Sequence, residues 1–301
     1  MCNLTAPQFT NEDHARQYLE AIRWPYGPVC PHCGSISDGH YALKGEAHRP
    51  GLWKCKDCRQ QFSVTVGTVF ERSKIPLNKW VLASHLMASS KKGFSAHQLH
   101  RTIGVTYKTA WFMTHRIREA MREPAGAGPL GGSNKVVEVD ETFVGGKAKN
   151  RKGDYIPPKE AVMALVERDG RVRSFHVASV DAKTLRPILT AQLDRKSYLM
   201  TDESKVYTKT GREFGGHGTV NLSIEEYVRG GFWHTNTVES YFAILRRGIF
   251  GVYHHVSPKH LKRYVGEFDF RYNARGVTDG ERASKALRGI EGKRLTYRRT
   301  R

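Results

Sequence analysis

Two Cys-x-x-Cys pairs constrain the fold of the N-terminal part of the chain more than any other feature of the sequence. They are Cys30-Pro-His-Cys33 and Cys55-Lys-Asp-Cys58, separated by residues 34–54. Each pair can present two thiolates to one face of a tetrahedral ion, and four cysteines close the coordination sphere, which is typical of structural zinc. Free thiols or a redox pair would require two such pairs by coincidence. The cysteines therefore predict a small zinc-binding module.

The charge balance indicates a polyanionic partner. The 301 residues include 49 Lys and Arg but only 29 Asp and Glu, which leaves a formal net charge of +20. A surplus of this size favours nucleic acid as the partner. No apolar run reaches the ~18–20 residues that a membrane-spanning helix needs, and the N-terminus lacks a signal-peptide pattern. We therefore expect a cytoplasmic protein.

Residues 95–121 have the pattern of two helices joined by a tight turn. Ser95 and Gln98 are spaced as a capping box at the start of the first helix. Gly104 lies in the turn, and Thr106 can cap the second helix, as in a helix-turn-helix motif that enters the major groove of DNA. The side chains expected to face DNA are Tyr107, Lys108, Thr109, His115 and Arg116. A helical hairpin that does not contact DNA would have the same pattern.

A run rich in glycine and proline at 124–133 divides the chain, because such residues neither pack in a core nor hold a strand ladder. The pattern that follows predicts strands at 135–140, 161–168 and 171–178, a helix from about Lys183 to Leu193, a strand at 197–201 and a fifth candidate strand at 218–222. This order indicates an α/β domain, with a mixed sheet flanked by helices as in ribonuclease-H-like domains.

Three acidic residues of this domain occupy positions where a metal site could form. Asp140 and Asp202 each end an apolar run, and Glu239 enters a helix-like segment. A carboxylate at a strand end points into the crevice beyond the sheet, the usual ligand position in an open α/β sheet. Three converging carboxylates could bind two Mg²⁺ ions about 3.5–4 Å apart, the arrangement that serves phosphoryl transfer.

The strand that contains Asp140 carries three carboxylates. Glu138 and Asp140 share one face by alternation, and Glu141 points away. Crowded carboxylates repel one another unless a cation joins them, which favours a metal site. A solvated strand end would also tolerate them.

Asp202 and Glu239 have structural explanations as well. Asp202 can be the N-cap of a following helix, and Asn236 and Glu239 are spaced as a capping box. In the helix after Asn236, however, Glu239 and Arg246 are seven residues apart and align on one face. A carboxylate and a guanidinium on one line suit metal binding beside a phosphate contact.

The combination of these motifs resembles a known family, the DDE transposases of bacterial insertion sequences of the ISXO type. The motifs are Val-Glu-Val-Asp140-Glu-Thr-Phe-Val-Gly-Gly-Lys147, Thr-Asp202-Glu-Ser, His234-Thr-Asn-Thr-Val-Glu239-Ser-Tyr-Phe and Phe270-Arg-Tyr-Asn273. The cysteine module followed by Gly67-Thr-Val-Phe70 is similar to the N-terminal zinc ribbon of the same family. The resemblance extends over roughly residues 15–276.

The resemblance implies a catalytic domain with two Mg²⁺ or Mn²⁺ ions, and cleavage and joining of DNA at the terminal inverted repeats of an insertion sequence. Its metal ligands would be Asp140, Asp202 and Glu239. Related groups can carry Asn as the third catalytic residue, so Asn236 is the alternative to Glu239. Where many such enzymes have Lys, this chain has Arg246 and Arg247, and we predict Arg246 as the catalytic one.

The sequence thus predicts five regions. They are a zinc ribbon region at 1–74, a helix-turn-helix DNA-binding region at 75–123, a linker at 124–134, a ribonuclease-H-like catalytic domain at 135–276 and a basic C-terminal tail at 277–301. The tail has too few apolar residues to form more than a short helix and a flexible end.

The expected partner is double-stranded DNA, both the terminal inverted repeats and the target, in the bacterial nucleoid. The predicted DNA contacts are Lys108, Arg116, Arg246 and Arg247. Holding two transposon ends together would require a homodimer or a larger homo-oligomer. Two alternatives stay open: a non-catalytic DNA-binding regulator with a degenerate nuclease-like domain, and a host metal-dependent nuclease. Terminal inverted repeats beside the gene would favour the transposase.

Overall fold

The computed structural model describes residues 3–124, 126–145, 159–224 and 226–296, so Lys147 of the first motif lies outside the described residues. The chain forms two compact units. Unit 1 consists of Met1–Ser90, Phe94–Arg122 and Val277–Arg301, and unit 2 consists of Lys91–Gly93 and Glu123–Gly276.

Unit 1 begins with two helices and a small sheet. The elements are α1 (Pro7–Thr10), α2 (Glu12–Arg23), β1 (Tyr41–Ala42), β2 (Trp53–Lys54) and β3 (Gln61–Phe62). The three strands are antiparallel, in the order β1-β2-β3. Asn11 begins α2, since its side chain accepts hydrogen bonds from the N–H groups of Asp13 and His14.

Three further helices follow, α3 (Leu77–Ser89), α4 (Ala96–Ile103) and α5 (Tyr107–Met121). The Ser95 side chain caps α4 and the Thr106 side chain caps α5, and Gly104 joins the two helices with a φ of 62°. A residue without a Cβ adopts this left-handed conformation at little cost. The two helices and the tight turn predicted for residues 95–121 are confirmed.

The C-terminal residues contribute a helix to unit 1. This helix, α10 (Asp279–Arg288), begins at a complete capping box between Thr278 and Glu281. It buries Ala283, Ala286 and Leu287 and packs against α2, α3 and α5. Residues 277–296, which the sequence assigns to a basic tail, thus include part of the packed core of unit 1.

Unit 2 is built on a five-stranded mixed sheet. The strands are β4 (Val136–Val144), β5 (Glu160–Glu167), β6 (Val172–Val177), β7 (Tyr198–Thr201) and β8 (Gly216–Thr219), in the order β6-β5-β4-β7-β8. The pairs β4–β5 and β5–β6 are antiparallel, and the pairs β4–β7 and β7–β8 are parallel. All five predicted strands are present.

Helices cover both faces of this sheet. They are α6 (Ala182–Gln192), α7 (Thr208–Gly211), α8 (Asn236–Gly248) and α9 (Pro258–Asn273). Val137 and Val139 of β4 pack in one core with α6, whereas Val144 packs in a second core with α8 and α9. The predicted α/β fold, a mixed sheet flanked by helices, is confirmed. None of the helices in the described residues is long and apolar enough to cross a membrane.

Candidate active site

Asp140 lies on β4, and Asp202 directly follows the neighbouring strand β7. The parallel strands β4 and β7 pair in register, with Glu138 opposite Met200 as the last pair. Asp140 follows Glu138 by two residues, and Asp202 follows Met200 by two. The same register therefore brings the two aspartates side by side, just beyond the point where the ladder between β4 and β7 ends.

Strand β4 is longer than predicted. It continues past Asp140 to Val144 because these residues pair with β5, with Asp140 opposite Ala164 and Val144 opposite Glu160. The expectation that Asp140 ends its strand is therefore wrong. Its backbone is paired with β5, whereas the ladder between β4 and β7 ends at Glu138. This arrangement fixes the carboxylate on a rigid strand.

Helix α8 lies along the face of β4 that carries Glu138, Asp140 and Thr142. Backbone N–H groups in the first turn of α8 donate to Glu138. Further along the helix, Arg246 Nε donates to Thr142 Oγ1 at 2.8 Å. Glu239 directly follows Val238, one of the residues whose N–H group contacts Glu138. Asp140 lies between Glu138 and Thr142 on β4. The helix therefore brings Glu239 and Arg246 to the strand that carries Asp140.

The electrostatics of Asp140 reflect this grouping. Burial raises the pKa of Asp140 to about 6, and the negative charges of Asp202 and Glu239 act in the same direction. A hydrogen bond from the backbone N–H of Glu141, at 2.7 Å, and the charge of Arg246 oppose the rise. Burial also raises the pKa of Asp202. A bound cation would offset both the free-energy cost of burying these charged carboxylates and the repulsion between them.

Glu141 adds a fourth carboxylate, which strand alternation had placed outside the group. Burial raises the pKa of Glu141 to about 8, and the charges of Asp140 and Asp202 add to the effect. Its Oε1 atom is buried and accepts no hydrogen bond from any described residue. Strand alternation does not predict this position, because alternation separates the two faces of a complete sheet, whereas the ladder between β4 and β7 stops at Glu138. An unpaired buried oxygen beside two aspartates suits a cation.

The helix-capping roles that the sequence allows for Asp202 and Glu239 are only partly present in the structure. Asp202 Oδ1 accepts a hydrogen bond from Ser204 N at 3.0 Å, but Ser204 is the N-cap of the short helical turn that follows. Helix α8 has Thr235 as its N-cap, and Glu239 Oε1 accepts from Thr235 Oγ1 at 2.9 Å. Asn236 is exposed at the first helical position. Each acid thus has one local partner and further acceptor capacity.

The four cysteines of unit 1 form a compact group. The Sγ atoms of Cys30 and Cys58 are 3.6 Å apart, and those of Cys33 and Cys55 are 3.7 Å apart. All four sulfur atoms lie within 4.8 Å of one another. A regular tetrahedron with Zn–S bonds of about 2.3 Å has edges of about 3.8 Å. The spacing therefore supports the predicted structural zinc site.

The carboxylates of unit 2 are spread more widely than the cysteines. Within the described ranges, the cysteines are the one group of three or more His, Cys, Asp or Glu residues whose ligand atoms all lie within 4.8 Å. Two ions about 3.5–4 Å apart take their ligands from a larger volume than one ion does. The donor set of Asp140, Asp202, Glu239 and Glu141, all oxygen, fits Mg²⁺ or Mn²⁺ chemically.

Lys108 and Arg116, both predicted to contact DNA from α5, have different environments. Lys108 is exposed in the first turn of the helix. Arg116 is only 9% exposed, and its guanidinium donates to the carbonyl oxygens of Leu295 at 3.2 Å and Glu71 at 3.3 Å. His115 is 1% exposed. The expectation that Arg116 and His115 face outward is wrong, because the C-terminal half of α5 is buried throughout.

Both units contain regions that match family models of transposase domains. Residues 129–273 match the model of the ISXO2-like transposase domain, and residues 10–61 match that of the transposase zinc-ribbon domain. A curated relative from Halobacterium salinarum, described as an uncharacterized protein in transposable element ISH50, is 30% identical over 292 residues. The alignment covers 87% of this chain and 91% of that protein.

Proposed function

Because the chain belongs to the ISXO2-like transposase family, we propose that it cleaves DNA at the terminal inverted repeats of an insertion sequence and joins the 3′-OH ends to target DNA. The observation that carries this proposal is the shared register of β4 and β7, which brings Asp140 and Asp202 side by side. Glu239 on α8 is the third acid of the proposed catalytic site, and Arg246 is the positively charged side chain of that site.

Asp140, Asp202 and Glu239 would hold two Mg²⁺ or Mn²⁺ ions, for which carboxylate oxygens are suitable ligands. Such an ion pair, when bound, lowers the pKa of a water and neutralises charge on the leaving oxygen. The contribution of the chain itself is positioning. Asp140 lies on β4, Asp202 directly follows the adjacent strand β7, and Glu239 lies on a helix that is hydrogen-bonded to β4, so the ligands need little rearrangement.

Arg246 would bind a phosphate of the DNA beside the carboxylates. Its hydrogen bond to Thr142 uses Nε, and the remaining guanidinium donors suit a phosphate contact. Arg247, the next residue on α8, is also exposed and would add a second DNA contact.

One site would serve both reactions in turn. Hydrolysis at the element end and attack of the freed 3′-OH on target DNA are both in-line displacements at phosphorus, so the same carboxylates can position both nucleophiles. Holding two ends together requires at least two copies of the chain, and we propose a homodimer or larger homo-oligomer on DNA.

The direct test uses the full chain, a duplex that carries a terminal inverted repeat identified by sequencing the DNA beside the gene, and Mg²⁺ or Mn²⁺. We expect cleavage at the 3′ end of the repeat and covalent joining of that end to a second duplex. Cleavage without joining would identify a nuclease. Specific binding with neither reaction would identify a regulator, which family membership does not favour.

Lys108→Ala should weaken binding of the repeats in proportion to one lost phosphate contact. A helix-turn-helix places the start of its second helix next to DNA, and Lys108 is exposed there. The dependence of log binding constant on log salt should fall by about one unit. Lys74→Ala, which changes an exposed lysine outside α4 and α5, is the control. An unchanged salt dependence in the Lys108 variant would remove α5 from the DNA interface.

Glu239→Gln should lower cleavage by about a hundredfold or more, because the amide keeps an acceptor for the Thr235 hydroxyl but removes an anionic ligand. Asn236→Ala should cleave nearly as well as the wild type, since Asn236 is exposed at the start of α8. Single-turnover cleavage of both variants decides between the two residues. The opposite result would transfer the role of third ligand to Asn236.

A further inference from the structure

Glu138 is a fully buried carboxylate two residues before Asp140. Its side chain is 0% exposed, and Arg168 Nε donates to its Oε1 atom at 2.6 Å. His234 Nδ1 lies 3.2 Å from the same oxygen. Burying an ionised carboxylate is costly unless it is paired and fully hydrogen-bonded. The contacts that satisfy Glu138 therefore indicate what the residue does in the fold.

Most of these contacts come from the start of helix α8. The backbone N–H groups of Thr237 and Val238 donate to Glu138 Oε2 at 2.8 and 3.0 Å. The hydroxyl of Thr237 donates to Oε1 at 2.9 Å. The first N–H groups of a helix have no partner within the helix, and the helix dipole favours negative charge there. Glu138 thus caps α8 from a strand about a hundred residues earlier in the sequence.

Arg168 also holds the segment that leads into α8. Besides its bond to Glu138, its guanidinium donates to the carbonyl oxygens of Phe232 at 2.8 Å and His234 at 2.9 Å. The backbone N–H of Arg168 donates to Val136 O at 3.0 Å, which ties the arginine to β4. One ion pair therefore fixes both the approach to α8 and its first turn against the sheet.

We propose that Glu138 is a positioning residue for the active site, an inference that rests on the proposed function. Three hydrogen bonds from the first turn fix the height and rotation of α8 relative to β4, and Glu239 is the residue directly after Val238. Because Glu138 and Asp140 share one face of β4, the bonds that hold the helix also set the distance from Glu239 to Asp140. Misplacement of a reacting group by about 1 Å can cost a hundredfold in rate.

The test replaces Glu138 by Gln, in the full chain. The amide fills the same space but turns one acceptor into a donor that faces Arg168 or the N–H groups of α8. The hydrogen bonds between this side chain and Arg168 or α8 are therefore weakened or lost. Glu167→Gln is the matched control, since Glu167 ends β5 with a 14% exposed side chain and lies 3.9 Å from Lys135. Thr237→Val removes one hydroxyl donor and keeps the backbone contacts, which provides a milder second variant.

The four quantities to compare with the wild type are amide hydrogen exchange of peptides from α8, calorimetric binding of Mn²⁺ alone, repeat-DNA affinity and single-turnover cleavage. In Glu138→Gln, the first turn of α8 should exchange faster than in the wild type while exchange in the sheet stays the same, and Mn²⁺ affinity and cleavage should both fall by about 10–100-fold. DNA affinity should change little. Thr237→Val should show the same pattern with a smaller loss, and Glu167→Gln should show none of it.

The outcomes separate this inference from the proposed function. Wild-type cleavage and Mn²⁺ affinity in Glu138→Gln would overturn the positioning role of Glu138, provided that Asp140→Asn is inactive. Activity in Asp140→Asn would instead overturn the proposed function. If Glu138→Gln does not fold, Thr237→Val decides: a local loss at α8 supports the positioning role, and unchanged exchange and activity refute it.

Discussion

Asp140→Asn and Asp202→Asn should each lower Mg²⁺- or Mn²⁺-dependent cleavage at the element ends by at least about a thousandfold. A bound ion supplies several kcal/mol of charge stabilisation in the transition state, and about 4 kcal/mol corresponds to this factor. Each amide keeps an oxygen for the existing hydrogen bond from Glu141 N or Ser204 N. Since burial raises the pKa of both acids, a neutral side chain should leave the melting temperature unchanged or slightly higher.

Single-turnover cleavage, repeat-DNA binding and thermal unfolding measure these effects together. Asp169→Asn is the matched control, because Asp169 is exposed in the turn between β5 and β6 and has a φ of 57°, which Asn also adopts readily. Its activity should equal that of the wild type. Strand transfer at the wild-type rate by the Asp140 variant would refute the proposed mechanism.

Cys30→Ser and Cys55→Ser should each lose bound zinc and unfold the module of β1, β2 and β3. Each strand is only two residues long, so the module has little sheet of its own. Structural zinc contributes an apparent ~10–16 kcal/mol to the folding of small finger peptides, far more than such strands can supply. Elemental analysis of the wild type should find one zinc per chain, and limited proteolysis of either variant should cut between residues 28 and 62.

Cys2→Ser, which changes the one cysteine outside the two Cys-x-x-Cys pairs, is the control and should retain zinc. Removal of zinc from the wild type by a strong chelator should reproduce the proteolysis pattern of the variants. Protein produced with zinc available but isolated without it, and still resistant to protease, would contradict the assignment.

Much of the fold could be predicted because its signals are local. The two cysteine pairs, the caps at Ser95 and Thr106, and the order of strands and helices after the linker are each encoded within a few residues. The grouping of Asp140 with Asp202 also follows from local signals, since each ends an apolar run in the sequence and parallel strands point the same way.

The predictions that failed depended on distant parts of the chain. Arg116 is buried because its partners are the carbonyl oxygens of Glu71 and Leu295, far away in the sequence. The extra length of β4 depends on pairing with β5. The role of Glu138 depends on N–H groups about a hundred residues later, so in the sequence it looked like one more crowded carboxylate.

The return of the chain terminus to unit 1 has a consequence for biosynthesis. Helix α10 packs against α2, α3 and α5, but residues 123–276 must be translated before it. At the usual ~5–20 residues per second, these 154 residues take about 8–30 s. Unit 1 is thus begun first on the ribosome and completed last. A nascent or prematurely terminated chain therefore carries an unfinished unit 1, with the apolar surface that α10 covers still open to water.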